Sequence, residues 1–531
     1  MADLNPMILA DLFYGRARTL PDFQILTFEG AGVRDDEVRT YSELWVNAQK
    51  LAQAMLDRGM NTGDRFAILL RNHPEFIEMM IAASILGCVF VPIDPRTRGA
   101  KLTFTLNNSG CRGVLCADYG IDYIEEIRDQ VPSLEWLIML ETGEDGADTK
   151  AIDIRNCVAA ADVLNVPEVT VERRLTDPNA PLEILYTSGT TGDPKGVTIA
   201  NLRLASGALF GAGLQLQKGD KMYTGLSLTH GNAQSLTFFP AVGMDLPVVF
   251  SRKFTKSRLW DVTRKYGCTV FNLLGGMTTA IYSEPVKDND ADNPVRMVLS
   301  AGMPAVIWKK FEERFNLKVV ELYAAVDGYG LFMNTGDGPV GSFGKMPQGS
   351  EFKVVDEEGN EVPHGEMGEL IGRPLEGEVK VEYFENKDAS EKKTLGGWVR
   401  TGDICHRDEE GWFYFDYRKG GGIRHNGDFV HPGFVEQVLA EHPDIDDVYV
   451  YGVPAKSGAP GEKDVVAAIV VTGDFTPESV FDLCRKELEA NFVPSYLQVV
   501  DEIPKTASEK PQERFLVEQF AEDASGVYAA R

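Results

Sequence analysis

Residues 184–197 read Ile184-Leu185-Tyr186-Thr187-Ser188-Gly189-Thr190-Thr191-Gly192-Asp193-Pro194-Lys195-Gly196-Val197. Ile184, Leu185 and Tyr186 have the apolar character of a buried strand's end. A run of hydroxyls and glycines follows, and Asp193 to Gly196 reads as a turn. Glycine lets backbone N–H groups approach an anion closely, hydroxyls add donors, and Lys195 adds charge, so the stretch has the chemistry of a phosphate cradle. A plain polar loop would not need a strand, glycines, hydroxyls and a lysine to coincide. A mononucleotide-binding P-loop is disfavoured, because that pattern needs Gly-Lys-Ser/Thr in succession, whereas Lys195 stands between Pro194 and Gly196.

The chain around this loop has 531 residues, enough for more than one domain. Its formal net charge of −27 repels nucleic acid and anionic membranes, which argues against both as partners. Any site for an anionic ligand must therefore be locally positive. The seven cysteines (Cys88, Cys111, Cys116, Cys157, Cys268, Cys405, Cys484) are scattered, with no Cys-x-x-Cys pair. That pattern suits core positions in a reducing compartment rather than disulfides or structural zinc. No basic and apolar leader opens the sequence, and the apolar run Met79–Ile93 is too short to span a bilayer, so a cytoplasmic location is expected.

Before the loop, helical and strand patterns alternate. A helix is expected over 42–59, a strand over 64–70, a helix over 75–86, a strand over 88–91, a helix over 101–108 and a strand over 113–116. Such alternation, continuing to about residue 170, is that of a parallel sheet covered on both faces. A second α/β round starts with the strand at 182–186 and runs through 270–274, 297–299 and 319–322. From about 338 short strands are expected at 351–355, 369–373 and 379–383, as a small antiparallel barrel, with a hairpin turn at 356–360. After a strand at 412–417, the triplet Gly420-Gly421-Gly422 reads as a hinge, and helices and strands from 432 to 490 make a compact α+β domain. The expected fold is thus α/β: a large N-terminal domain (1–417) of two α/β subdomains plus a small β-barrel, and a small mobile C-terminal domain (418–531).

The stretch Tyr186–Gly196 resembles the signature loop of the adenylate-forming superfamily: acyl-CoA synthetases, peptide-synthetase adenylation domains and firefly-type luciferases. Further motifs follow in that family's order and extend the resemblance over nearly the whole chain. Ser300-Ala301-Gly302-Met303-Pro304 resembles the small-residue segment that lies against adenine. Tyr323-Ala324-Ala325-Val326-Asp327 aligns with Tyr-Gly-x-Thr-Glu, Thr401-Gly402-Asp403 matches Thr-Gly-Asp, and Pro504-Lys505-Thr506 to Lys510 resembles Pro-Arg-Thr-x-x-Gly-Lys.

The resemblance implies an ATP-dependent acid:CoA ligase using Mg2+. The nucleotide would be held by Thr187, Ser188, Gly189, Thr190, Thr191, Gly192 and Lys195, by Ala301, Gly302 and Met303, and by Tyr323 and Ala324. Asp403 and Arg418 would contact the ribose, and Gly427 would border the pantetheine tunnel. Asp327 would be the magnesium ligand and Lys510 the adenylation lysine. Gly420 falls at the hinge, and His230 lines the acyl and CoA channel as a catalytic candidate. Asn232, Gln234, Gly275 and Gly276 complete the acid pocket.

Departures from the family pattern are equally specific. Val326 replaces the threonine that bonds the α-phosphate, a loss of about 1.5–3 kcal/mol. Asp327 is one methylene shorter than the family glutamate, Thr229 replaces an aromatic, and Glu509 replaces a glycine. The style is nearest to crotonobetaine/carnitine-CoA ligase-like enzymes. Alternatives are an acid-adenylating enzyme that loads a carrier protein and a non-catalytic nucleotide-binding regulator. The small-molecule partners implied are a carboxylic acid, ATP and CoA, and a homodimer is one assembly the family allows.

Overall fold

The computed structural model describes residues 4–31, 34–187, 194–419, 422–425, 428–430, 432–456, 463–473, 475–488, 490–506, 509 and 511–530, with the side chains of 187, 276, 428 and 429 left out. The chain divides into two compact units. One comprises Met1–Thr255, Lys265–Asn272 and Glu382–Ser390, and the other comprises Lys256–Arg264, Leu273–Val381 and Glu391–Arg531.

The first unit contains β1 (Gln24–Phe28), β2 (Glu37–Thr40), β3 (Arg65–Leu69), β4 (Val89–Pro92), β5 (Gly113–Ala117), β6 (Trp136–Leu140), β7 (Cys157–Ala159), β8 (Pro181–Thr187), β9 (Lys195–Ala200), β10 (Met222–Thr224), β11 (Val248–Phe250) and the start of β12 (Val270–Leu274). Seven of them form a sheet in the order β7-β6-β5-β3-β4-β8-β9, parallel except for the antiparallel pair β8/β9. In the same unit β10 pairs in parallel with β11 and β12, β11 with β1, and β2 runs antiparallel to β1.

The helices form where expected. Helix Tyr41–Asp57 starts at a reciprocal cap: the Thr40 hydroxyl accepts the Glu43 N–H at 3.2 Å, and the Glu43 carboxylate accepts the Thr40 N–H at 2.7 Å. It packs on helix Pro74–Leu86, in which every residue is buried and which ends at Gly87 with φ +71°. A helix apolar all round belongs inside, which is why the run Met79–Ile93 is so hydrophobic.

The second unit contains β13 (Met297–Ala301), β14 (Lys318–Tyr323), β15 (Phe332–Asn334), β16 (Ser342–Lys345), β17 (Ser350–Val355), β18 (Gly368–Pro374), β19 (Val399–Arg407), β20 (Trp412–Arg418), β21 (Ile423–His425), β22 (Asp428–Val430), β23 (Ile445–Pro454), β24 (Lys463–Val471), β25 (Tyr496–Val499) and β26 (Val527–Ala529). β13 and β14 are parallel, and from β14 an antiparallel run continues β14-β15-β16-β20-β19-β18-β17. β17, β18 and β20 are strands expected after residue 338, whereas β15, β16 and β19 were not foreseen, and the run lies over a core of Phe332, Phe343, Phe352, Val354, Leu370, Cys405 and Phe413. β21 and β22 form a hairpin, and β23-β24-β25-β26 a four-stranded sheet.

Two sequence-based expectations are corrected. Residues 379–383 do not form a strand. The Lys380 N–H donates to the Tyr329 hydroxyl at 2.6 Å and the Lys380 carbonyl accepts from it at 2.8 Å, so that residue's backbone is bound to a side chain, and only Tyr383 makes a bridge, an isolated one to Val197 of β9. Lys195 and Gly196 are not a turn: they open β9 and pair with Thr187 and Tyr186.

All seven cysteines are free, and all but Cys157 are buried, as their scatter suggested. Burial pushes the thiols of Cys88 and Cys111 up to about 12, which disfavours the reactive thiolate there. Among the described residues no helix is long and apolar enough to cross a membrane.

Candidate active site

In the first unit the signature loop is the connection of the β8/β9 hairpin. Its described ends are fixed by the antiparallel register Thr187↔Lys195, Tyr186↔Gly196 and Leu185↔Val197. Ser188, Gly189, Thr190, Thr191 and Gly192 lie outside the described residues. Gly196 is required by packing: a Cβ there would stand 2.6 Å from Cγ2 of Ile184 and 3.0 Å from the Tyr186 ring. The Tyr186 hydroxyl reaches Asn108 at 2.5 Å. Lys195 is exposed, its ammonium 5.4 Å from the centre of the Tyr383 ring. The segment bearing Tyr383 is tied to β9 by N–H donation from Thr198 to Glu382 and from Phe384 to Gly196. The β9 end of the loop is thus braced by a segment nearly two hundred residues away in sequence.

His230 is half-buried in the bend after β10, and its Nδ1 accepts the Asn232 N–H at 3.3 Å. The next turn, Ala233–Phe238, is a π-helix, a rare geometry that turns side chains to directions an α-helix would not allow. Asn232 precedes it, and its amide oxygen accepts from the buried Asn272 side chain, while the Asn272 oxygen is buried with no protein partner. Gln234 is fully buried. Its amide donates to the Leu228 carbonyl at 2.9 Å and to Glu183 at 3.0 Å, so it stabilises a carboxyl inside β8. Burial pushes the Glu183 carboxyl up to about 7, against the pull of Gln234.

In the second unit several expected residues stand together. The Tyr323 hydroxyl donates to Asp403 at 2.6 Å, and the Arg418 guanidinium lies 3.0 Å from the other Asp403 oxygen. The Tyr323 ring stacks on Phe343, with centroids 4.6 Å apart, and Ala324 beside it is exposed. The 301–303 turn is anchored from below: buried Glu321 accepts the N–H of Gly302 at 2.5 Å and of Met303 at 3.1 Å. Burial pushes this carboxyl up to about 7 although both N–H groups pull it down. Gly302 has φ +98°, and Gly275 is a glycine because a Cβ there would meet the Gly302 carbonyl at 2.8 Å. Gly276 follows it in helix Gly275–Tyr282.

Asp327 does not stand alone. Lys393, at the C-terminal end of helix Lys387–Lys393, places its ammonium 2.8 Å from Oδ2, with the two side chains 10% and 15% exposed. Among the described residues no group of three His, Cys, Asp or Glu side chains could hold a metal by itself. A single hard carboxylate oxygen nevertheless suits Mg2+, which keeps several waters and is held by one or two carboxylates together with phosphates. Lys510, Gly420 and Gly427 lie outside the described residues.

Sequence reasoning missed Glu321, Lys393 and Asn272. Glu321 and Glu183 carried a readable signal, since each is a lone carboxylate in an otherwise apolar strand, Lys318–Tyr323 and Pro181–Thr187. Lys393 lies in the charged run Glu391-Lys392-Lys393, where nothing distinguishes it from a solvated lysine.

The AMP-binding enzyme family model matches residues 13–374, and the model for the C-terminal domain of AMP-binding enzymes matches 435–510. The chain is 29% identical over 477 residues to the medium/long-chain-fatty-acid–CoA ligase FadD17 of Mycobacterium marinum, covering 87% of this chain and 88% of that protein. It is 27% identical over 491 residues to a crotonobetaine/carnitine–CoA ligase of Escherichia coli, covering 89% and 92%. Its fold resembles that of the anthranilate CoA ligase AuaEII in complex with anthranoyl-AMP, with a TM-score of 0.82 at 22% identity over 96% of each chain. With matched loop, turn and carboxylate constellation in the order of the family, the chain belongs to the AMP-binding enzymes.

Proposed function

We propose that this chain is an ATP-dependent carboxylic acid:CoA ligase, which forms an acyl-adenylate and then an acyl-CoA thioester, releasing pyrophosphate and AMP. The observation that carries the reading is Asp403, a buried carboxylate set between the Tyr323 hydroxyl at 2.6 Å and Arg418 at 3.0 Å. A carboxylate so oriented accepts hydrogen bonds from ribose hydroxyls, and Arg418 keeps it from turning away. The 301–303 turn presents the small residues Ala301 and Gly302 to the flat base. The loop 187–195 supplies N–H, hydroxyl and ammonium groups to the phosphates. Bound Mg2+ at Asp327 would neutralise phosphate charge.

Lys510 is assigned to the first step, in which the acid's carboxylate oxygen attacks the α-phosphorus and pyrophosphate leaves with its bonding pair. Its ammonium offsets the repulsion of two anions in contact. In the second step the CoA sulfur attacks the acyl carbon and AMP leaves, with residues 418–531 turned about Gly420 so that Lys510 is withdrawn. Support for this body lies in its cores, Ile423 to Leu497 and Tyr451 to Leu516, drawn only from the C-terminal part of the chain. His230, Asn232, Gln234, Gly275 and Gly276 are assigned to the acid side. The Asn232–Asn272 amide pair favours an acid bearing a polar substituent over a plain alkyl chain, and the small residues Gly275 and Gly276 suit a ring. A cytoplasmic location and a homodimeric assembly belong to the same reading, and light scattering tests the assembly.

Pyrophosphate release from ATP, CoA and a panel of acids tests the activity, with ring and polar acids expected above alkyl acids. Silence across the panel would favour a nucleotide-binding regulator. Release that depends on added carrier protein but not on CoA would favour the loading enzyme. Lys510→Ala should abolish adenylate formation yet spare thioester formation from a supplied acyl-adenylate. Equal loss of both half-reactions contradicts the lysine's assignment.

A further inference from the structure

The ion pair between Lys393 and Asp327 is a feature of the candidate site that the family motifs do not prescribe. Its ammonium and carboxylate are 2.8 Å apart and almost withdrawn from water. Lys393 closes the last turn of helix Lys387–Lys393, where a cation is favoured, and stands ten residues before Asp403 in sequence. A buried ammonium needs an anion at all times, because an uncompensated charge there is strongly unfavourable. Asp327 is also the carboxylate assigned to Mg2+ under the ligase reading, on which this inference rests. Two cations cannot both keep one carboxylate at contact distance without strong mutual repulsion. Beside them, Val326 carries no hydroxyl where a phosphate donor is expected.

We propose that Lys393 is a phosphate-binding residue, held by Asp327 in the free enzyme and released to the phosphates of ATP when nucleotide binds. Its ammonium then supplies the donor that Val326 lacks. The lysine stem, with four rotatable carbons, permits such a transfer, and its charge is neutralised at both ends of the movement.

Calorimetry of ATP binding to the full chain, in EDTA and across a Mg2+ series, tests this without acid or CoA. Lys393→Met should weaken metal-free ATP binding by about tenfold or more. It should also lower the free Mg2+ needed for half-maximal binding, because the Lys393 ammonium no longer competes for Asp327. Lys393→Arg should restore most of the metal-free affinity. Metal-free affinity of Lys393→Met within about twofold of the parent, with an unchanged melting curve, overturns the proposal. If Lys393→Met does not fold, Asp327→Asn decides: a freed ammonium should bind metal-free ATP more tightly, and unchanged affinity rejects the role. A chain that binds ATP through Lys393 but releases no pyrophosphate with any acid would sink the ligase reading and leave this one standing.

Discussion

Glu183 and Glu321 are single carboxyls within apolar strands, and each is held up to about 7 by burial. A carboxyl whose folded pKa lies above its unfolded value binds its proton more tightly when folded. Its stabilising contribution is full below about 4.5 and is lost as pH rises through about 7. Glu183→Gln removes the buried charge that develops above that range and keeps a group able to face Gln234. The variant should match the parent near pH 5 and exceed it at pH 8 by about 1–3 kcal/mol, read from urea unfolding at the two values. A parent more stable than the variant at pH 8 would mean that the carboxylate form of Glu183 is compensated by groups other than Gln234. Glu321 differs, because its two N–H partners belong to the 302–303 turn. Its removal would orphan those donors as well as relieve the charge.

At the scale of elements, the strands and helices position the candidate residues by close backbone contact. Helix Gly275–Tyr282 begins against the 302 turn at a spacing that only glycine permits. Gly275→Ala should displace that turn and cost about 1–3 kcal/mol of stability, with a raised KM for ATP. A variant with parental stability and KM would show that the turn yields without consequence. The β8/β9 hairpin works similarly: register across β8 and β9 fixes both ends of the glycine-hydroxyl loop. The periods of 3.6 and 2 made most of these elements legible in the chain. The strand expected at 379–383 shrinks to a single bridge at Tyr383, because a distant hydroxyl, that of Tyr329, takes up the backbone groups of Lys380. No local pattern announces such a partner. The π-helix at 233–238 likewise depends on what surrounds it rather than on a residue code.

At the scale of the whole molecule, the C-terminal residues carry cores of their own, built from Val435, Val465, Ile469, Phe481 and Leu497 on one side of the four-stranded sheet and Tyr451, Val466, Tyr496 and Leu516 on the other. Residues 418–531 expressed alone should therefore unfold in one cooperative thermal transition. A broad, non-cooperative melt would mean that these cores depend on the remaining chain. Lys256 adds a tie to this region, with its ammonium 2.6 and 2.7 Å from the two Asp446 oxygens, and Ser283 contributes a further bond at 3.1 Å. The amino-acid sequence by itself determined the family, the alternation of elements and the order of the motifs, because periodicity and catalytic chemistry are written in consecutive residues. Only the tertiary structure decided that Glu321 carries the 302 turn, that Gln234 serves Glu183, and that Lys393 holds Asp327. Each is a bond between residues far apart in the chain, and burial sets its strength, so no local stretch of sequence contains it.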